Sequence, residues 1–178
     1  MSAVWTPAAM PTALVADLRS DQAGETGAVW IYRGVLAVSR DPGLRAFAQR
    51  HLATERRHLG LIEACLPTAE HSRLLLLWRA AGWLTGALPA LAGPRAVYGT
   101  VAAVESFVDQ HYQAQVDHLT GLPAWAPLRE LLDGCRRDEV NHRDEAAALA
   151  GPPSLLMRAW CRLVGAGSAV AVAVCRHV

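Results

Sequence analysis

Two tetrapeptides in this chain share one spacing, Glu55-Arg56-Arg57-His58 and Glu139-Val140-Asn141-His142. Residues three apart in a helix stand one turn apart on the same face, so each Glu-x-x-His sets a carboxylate beside an imidazole. Repeated on two helices, that pairing can present oxygen and nitrogen ligands to a pair of metal ions inside a helix bundle. Two further acids stand among apolar neighbours: Glu25 in "SDQAGETGAVWIYRG" (20–34) and Glu105 in "AVESFVDQHYQAQVDHL" (103–119). Together they make a candidate set of four carboxylates and two imidazoles. That mixture suits iron or manganese, and the lack of cysteine in it argues against structural zinc. Two divalent ions also balance four carboxylates, which an apolar bundle otherwise buries at several kcal/mol each.

The elements that must hold these residues can be read from proline and glycine punctuation. Six helical segments are expected, at about 12–39, 42–65, 70–92, 95–119, 125–149 and 154–176, with Asp41 capping the second and Pro42 opening it. No stretch alternates with period two over a strand's length, so the class is all-α. If segments one and two form a hairpin turning near Asp41, Glu25 lies 16 residues before the turn and Glu55 lies 14 after it. Their heights then differ by only about 3 Å. Segments four and five turn near Leu122, with Glu105 and Glu139 each 17 residues away. Each hairpin, 12–65 and 95–149, thus sets a lone Glu level with a Glu-x-x-His. Solvated surface acids are the competing explanation, and this doubled registration argues against it.

Composition narrows the class. The 178 residues are 52% hydrophobic and 19% charged with net charge +1, which excludes a disordered chain and shows no nucleic-acid footprint. All 17 basic residues are arginine, which reads as coding bias. Cys65, Cys135, Cys161 and Cys175 form no metal-binding pair and read as buried free thiols in a reducing cytoplasm. The first residues lack the pattern of a signal peptide. Residues 80–94 and 163–175 contain no charge. Both stretches are shorter than the ~20 residues of a spanning helix, so they are expected as buried helices or segments on a membrane surface.

The chain resembles the demethoxyubiquinone hydroxylase family, from about Leu18 to Val178. Where that family reads Asp-His-Ala-Gly-Glu-x-Gly-Ala, this chain reads Asp21-Gln22-Ala23-Gly24-Glu25-Thr26-Gly27-Ala28, followed by "IYRGVLAV". "AVESFVDQHYQAQVDHL" resembles the family's fourth ligand helix and places Glu105, His111 and Tyr112. "RRDEVNHRDEA" resembles the fifth, placing Glu139 and His142, and "CRLVGAGSAVAVAVCRHV" its apolar closing helix. Two departures stand out: Gln22 replaces a histidine, and Gln110 stands where the family usually has the first of two.

The resemblance implies a ferritin-like four-helix bundle with a di-metal core, plus two additional apolar helices, the third and the sixth. One such domain is expected over 12–178, with residues 1–11 as an N-terminal extension. It further implies a di-iron monooxygenase with O2 as co-substrate and ligands Glu25, Glu55, His58, Glu105, Glu139 and His142. The substrate is then a demethoxyubiquinol-type quinone with an isoprenoid tail, and NADH is a candidate electron source. "GAGSAV" (165–170) lacks the rest of a dinucleotide fingerprint, so no dedicated nucleotide site is seen. A membrane surface and a lipid-binding partner protein are the implied partners, nucleic acid is not, and self-association is left open. The expected location is peripheral, on the cytoplasmic face of a bacterial inner membrane. A ferritin-like iron-oxidising protein without an organic substrate fits the six ligands equally well but leaves the apolar helices unexplained. A di-iron hydroxylase of another substrate, such as tRNA, fits the near-neutral charge poorly.

Other residues have competing roles. Asp109 and Tyr112 follow Glu105 on one face and are expected to turn inward, Tyr112 more as a core residue than as a hydrogen-bond donor at the metals. Asn141 and Asp144 either orient an imidazole or lie on the surface. His51 reads as a partly exposed helix residue, and His71 and His177 carry no signal. Trp78 and Trp83 fit either a membrane-interface belt, with Arg73 and Arg79 reaching headgroups, or core packing. Gly24 and Gly27, weak helix residues, read as clearance around Glu25.

Overall fold

The computed structural model describes residues 10–178, so most of the expected N-terminal extension, and the signal-peptide reading with it, lies outside the described residues. Regular structure among the described residues is entirely helical. It comprises α1 (Thr12–Val38), α2 (Pro42–Cys65), α3 (Leu75–Ala92), α4 (Pro94–Leu119), α5 (Ala126–Ala150) and α6 (Leu155–Cys175). The helix boundaries follow local chemistry. Asp41 Oδ1 accepts the Leu44 N–H at 2.7 Å and Pro42 fills the first helical position, where a missing N–H is harmless. Gly93 adopts φ 102°, a conformation costly to any residue with a Cβ, and turns α3 into α4. The third helix starts at Leu75, later than the expected residue 70. Pro67 and a short 3-10 turn, Thr68–Glu70, take up the intervening chain.

The chain forms two compact units. One runs to Leu91 and includes Ala169–Val178; the other is Ala92–Ser168. In the first unit α1 packs along α2, burying Leu18, Tyr32, Val35, Leu44, Phe47 and Ile62. α3 approaches α1 through glycine. A Cβ at Gly82 would collide with the Gly27 carbonyl, one at Gly86 with the Ile31 carbonyl, and one at Gly34 with Trp83 backbone. Gly82 and Gly86 form a Gly-x-x-x-Gly pair, the spacing that lets two helix backbones approach closely. The tail is tied down in the same unit: the Arg176 guanidinium pairs with Asp17, and Ser72 Oγ lies 3.7 Å from Cys175 Sγ.

In the second unit α4 packs along α5 around Val97, Val101, Tyr112, Leu128 and Leu132. Asp109 joins the two helices, accepting from Arg136 at 3.1 Å and Arg143 at 2.6 Å. The first turns of α6 lie on α4, where Trp160 Nε1 donates to Thr100 Oγ1 at 2.8 Å.

α3 and α6 correct the expectation from their charge-free stretches. They extend through Arg79 and through Arg158 and Arg162, to 18 and 21 residues. Both are long and apolar enough to cross a membrane by length and composition. Neither is a core helix: Leu76, Leu84, Leu88 and Leu91 of α3 and Leu155, Leu156 and Leu163 of α6 are exposed. Burying one such side chain is worth roughly 1.5–3 kcal/mol, so these faces forgo a substantial stabilisation in water.

The glycines also part company with the sequence reading. A Cβ at Gly24 or Gly27 meets no protein atom within 4 Å, so neither is needed as clearance for a neighbouring helix; close packing falls on Gly34, Gly82 and Gly86. Gly24→Ala is expected to raise stability by about 1 kcal/mol through helix propensity alone. Gly86→Ala should lower it by about 1–3 kcal/mol through overpacking. Thermal unfolding followed by circular dichroism would separate the two signs.

Candidate metal centre

Each hairpin assembles a small cluster from one lone Glu and one Glu-x-x-His. On the first, Glu25 of α1 and Glu55 and His58 of α2 offer ligand atoms that all lie within 4.8 Å of one another. His58 Nδ1 is 3.9 Å from both Glu25 Oε2 and Glu55 Oε2, too far for a hydrogen bond and close enough for donors around a shared point. On the second, Glu105 of α4 and Glu139 and His142 of α5 lie within the same 4.8 Å limit. There His142 Nδ1 stands 3.2 Å from Glu139 Oε2. None of the six residues is more than 8% exposed.

The local cause is helix register. A hairpin with a three-residue connection at 39–41 keeps α1 and α2 antiparallel and level, which returns Glu55 to the height of Glu25. The donor set fits a metal ion. Two carboxylates and one imidazole per hairpin, all withdrawn from water, require compensating positive charge, and oxygen with one nitrogen is the set that iron or manganese accepts. Cysteine is unsuited to share in it: burial raises the thiol pKa of Cys65, Cys161 and Cys175, which keeps them protonated. All four cysteines are free, as expected, and three are buried, whereas Cys161 is half-buried rather than buried.

Around the first cluster, Thr26 Oγ1 donates to the Gln22 carbonyl at 2.8 Å, and Gln22 Nε2 lies 3.3 Å from Glu63 Oε1. Gln22 is fully buried, while Gln110 faces solvent, so only the first departure from the family pattern touches the interior. His51 is buried, not partly exposed. Its ring stacks on Phe47 with centroids 3.9 Å apart, and its Nδ1 lies 3.3 Å from the Tyr32 hydroxyl. Its signal was available in sequence, since Phe47 and Leu44, on the same face one and two turns earlier, are core residues.

Asp109 does not turn toward the cluster as expected, because Arg136 and Arg143 claim both its oxygens. Tyr112 is buried, as its place on the Glu105 face implies. Asn141 and Asp144 are exposed, and Asp144 accepts from Arg143 at 2.9 Å, so the surface alternative holds for both. His111 is half-buried, with Gln115 Nε2 3.0 Å from its Nε2. Trp83 lies at the edge of exposure and Trp78 is half-buried, so neither is a plain core residue.

Comparison with known proteins bears on the same span. The chain is 36% identical to a 3-demethoxyubiquinol 3-hydroxylase of Rhodospirillum rubrum over 164 residues, covering 90% of this chain and 76% of the relative. It is 28% identical to a mitochondrial NADPH-dependent 3-demethoxyubiquinone 3-hydroxylase of Caenorhabditis elegans, covering 88% and 87% of the two chains. The rat protein of the same name is 30% identical, with 87% and 73% covered. Residues 12–175, from the start of α1 to the end of α6, match the family described as ubiquinone biosynthesis protein COQ7, whose fold is a ferritin-like helical bundle. By that match and by the identity of its bacterial relative, this chain belongs to the COQ7 family.

Proposed function

We propose that this chain is an O2-dependent di-iron monooxygenase that hydroxylates a demethoxyubiquinol-type ring in ubiquinone biosynthesis. The observation that carries the reading is the buried Glu, Glu-x-x-His cluster in each hairpin of a COQ7-family chain. The names of the relatives supply the substrate class and the reaction. In this reading 12–178 is a single ferritin-like domain, and Glu25, Glu55 and His58 of the first hairpin and Glu105, Glu139 and His142 of the second are the ligands of two iron ions. The bound irons supply the reductive activation of O2.

The chain's own residues have definite tasks. Four carboxylates neutralise the charge of the two ions, and two imidazoles leave one nitrogen donor for each. The i to i+3 spacing keeps each imidazole one turn from its carboxylate, so the ligands are positioned before a metal arrives. Buried apolar side chains one turn from the candidate ligands, Ile62 on one hairpin and Val101 on the other, help keep water from the site. A reduced nicotinamide dinucleotide delivers the electrons. NADH is one candidate and the two animal relatives are named for NADPH, so each is to be tried.

The exposed leucines of α3 and α6 seat the protein peripherally on a lipid surface, on the cytoplasmic face of a bacterial inner membrane, and pass the isoprenoid tail inward. A lipid-binding partner protein would deliver so insoluble a substrate.

Anaerobic titration of the apo-protein with Fe2+, read by Mössbauer spectroscopy, is expected to give two coupled irons per chain. Glu55→Ala and His142→Ala should each lower iron affinity by at least the roughly 10–100-fold seen for loss of a ligand's outer partner, and abolish quinol hydroxylation. Fast iron oxidation without quinol turnover would instead identify an iron-oxidising protein.

Leu84→Ser with Leu88→Ser should weaken flotation with phosphatidylcholine vesicles while leaving iron content intact. Equal flotation of this variant and the wild type would remove the membrane seat.

A further inference from the structure

The unit that runs to Leu91 and includes Ala169–Val178 carries a second polar site, built from residues other than the candidate ligands. Arg19, Glu70, His71, Arg73 and His177 line a cavity of about 380 Å³. A single water's share of liquid volume is about 30 Å³, so the cavity has room for a phosphate with its attached glycerol.

Its walls are held by tertiary bonds. Arg19 Nε donates to the Glu70 carbonyl at 2.7 Å, Nη2 to Glu70 Oε2 at 2.6 Å, and Nη1 to the Arg176 carbonyl at 3.4 Å. His71 Nε2 lies 3.2 Å from the Leu66 carbonyl. The acids nearby are already matched, Glu70 by Arg19 and Asp17 by Arg176. Among the described residues Arg73 has neither an ion pair nor a hydrogen bond to its guanidinium, and Arg19 keeps two N–H donors beyond the three engaged. The cavity therefore has a surplus of cationic donors in a preformed frame, the chemistry that accepts a phosphate.

Its place in the fold selects the source of that phosphate. Arg73 precedes α3 by two residues and His177 follows α6 by two. Exposed apolar side chains begin at Leu76 and Leu77 of α3 on one side and reach Val174 of α6 on the other, with Val178 exposed beside His177. A cationic hollow at the ends of two apolar helices matches an amphiphile with its headgroup in the hollow and its chains along the leucines.

We propose that this cavity binds the phosphate of an anionic phospholipid headgroup and sets the depth and orientation at which the protein sits on the membrane. The proposal rests on the peripheral seating argued above, and the two can fail separately.

The test compares flotation of the full-length protein with vesicles of phosphatidylcholine alone and with vesicles that also contain phosphatidylglycerol. Wild type should prefer the anionic vesicles, and Arg73→Ala should reduce that preference about fivefold, with a smaller loss on phosphatidylcholine, whose phosphate is offset by its choline cation. Arg79→Ala removes the same charge from exposed α3 surface outside the cavity and should keep most of the preference. Equal loss in both variants would mean diffuse electrostatic attraction and overturn the site. If no vesicle binds, the membrane seat fails. Titration with soluble glycerol phosphate, read by the imidazole NMR signals of His71 and His177, then decides the cavity. A saturable shift abolished by Arg73→Ala sustains phosphate binding there, and no shift rejects it.

Discussion

A carboxylate taken out of water gives up hydration worth several kcal/mol, and a protein must return that by supplying positive charge. Each of the two long hairpins does this twice within a few ångströms, with an imidazole alongside. Leucine at those positions would pack as well at no electrostatic cost. The arrangement is compatible with a metal ion joining it. Helix length, hairpin register and the short connection at 39–41 are all consistent with that demand, since each keeps the lone Glu level with its Glu-x-x-His.

The ligand helices and the apolar helices solve different problems. α1, α2, α4 and α5 bury one face and show charge on the other, and α5 adds the Asp109, Arg136 and Arg143 bonds that hold it to α4. Partly exposed pairs of this kind contribute modestly to stability, but their geometry fixes helix rotation and so keeps Glu139 and His142 turned inward. α3 instead gains its place by close backbone approach at Gly82 and Gly86, a packing device that works without any apolar side chain between the helices. That frees its leucines for an outside phase. The same division explains why α3 and α6 look overly hydrophobic in a chain whose remaining helices are amphipathic.

Some features were misread from sequence because they depend on partners that no linear spacing reveals. His51 is buried between Phe47, one turn earlier on its own helix, and Tyr32 of another helix, and only the second of these is hidden from linear spacing. Asp109 shares a face with Glu105, yet two arginines 27 and 34 residues away capture it. Gly24 and Gly27 were noticed because they sit beside Glu25, whereas the glycines that packing requires sit in a run of small residues with no chemistry to draw attention.

The sequence by itself determined the all-α class, the helix boundaries to within a few residues, the Asp41 cap and the six candidate ligands. Those follow from local periodicity and from spacings that a helix converts directly into position. The level pairing inside each hairpin was also legible, because a short turn leaves little freedom in register. Only the tertiary structure decided that all six candidate ligands are buried, that Gly34, Gly82 and Gly86 carry the α1–α3 contact, and that the faces of α3 and α6 stay exposed. Burial and close approach are properties of what a residue packs against, and that is set by segments distant in the chain.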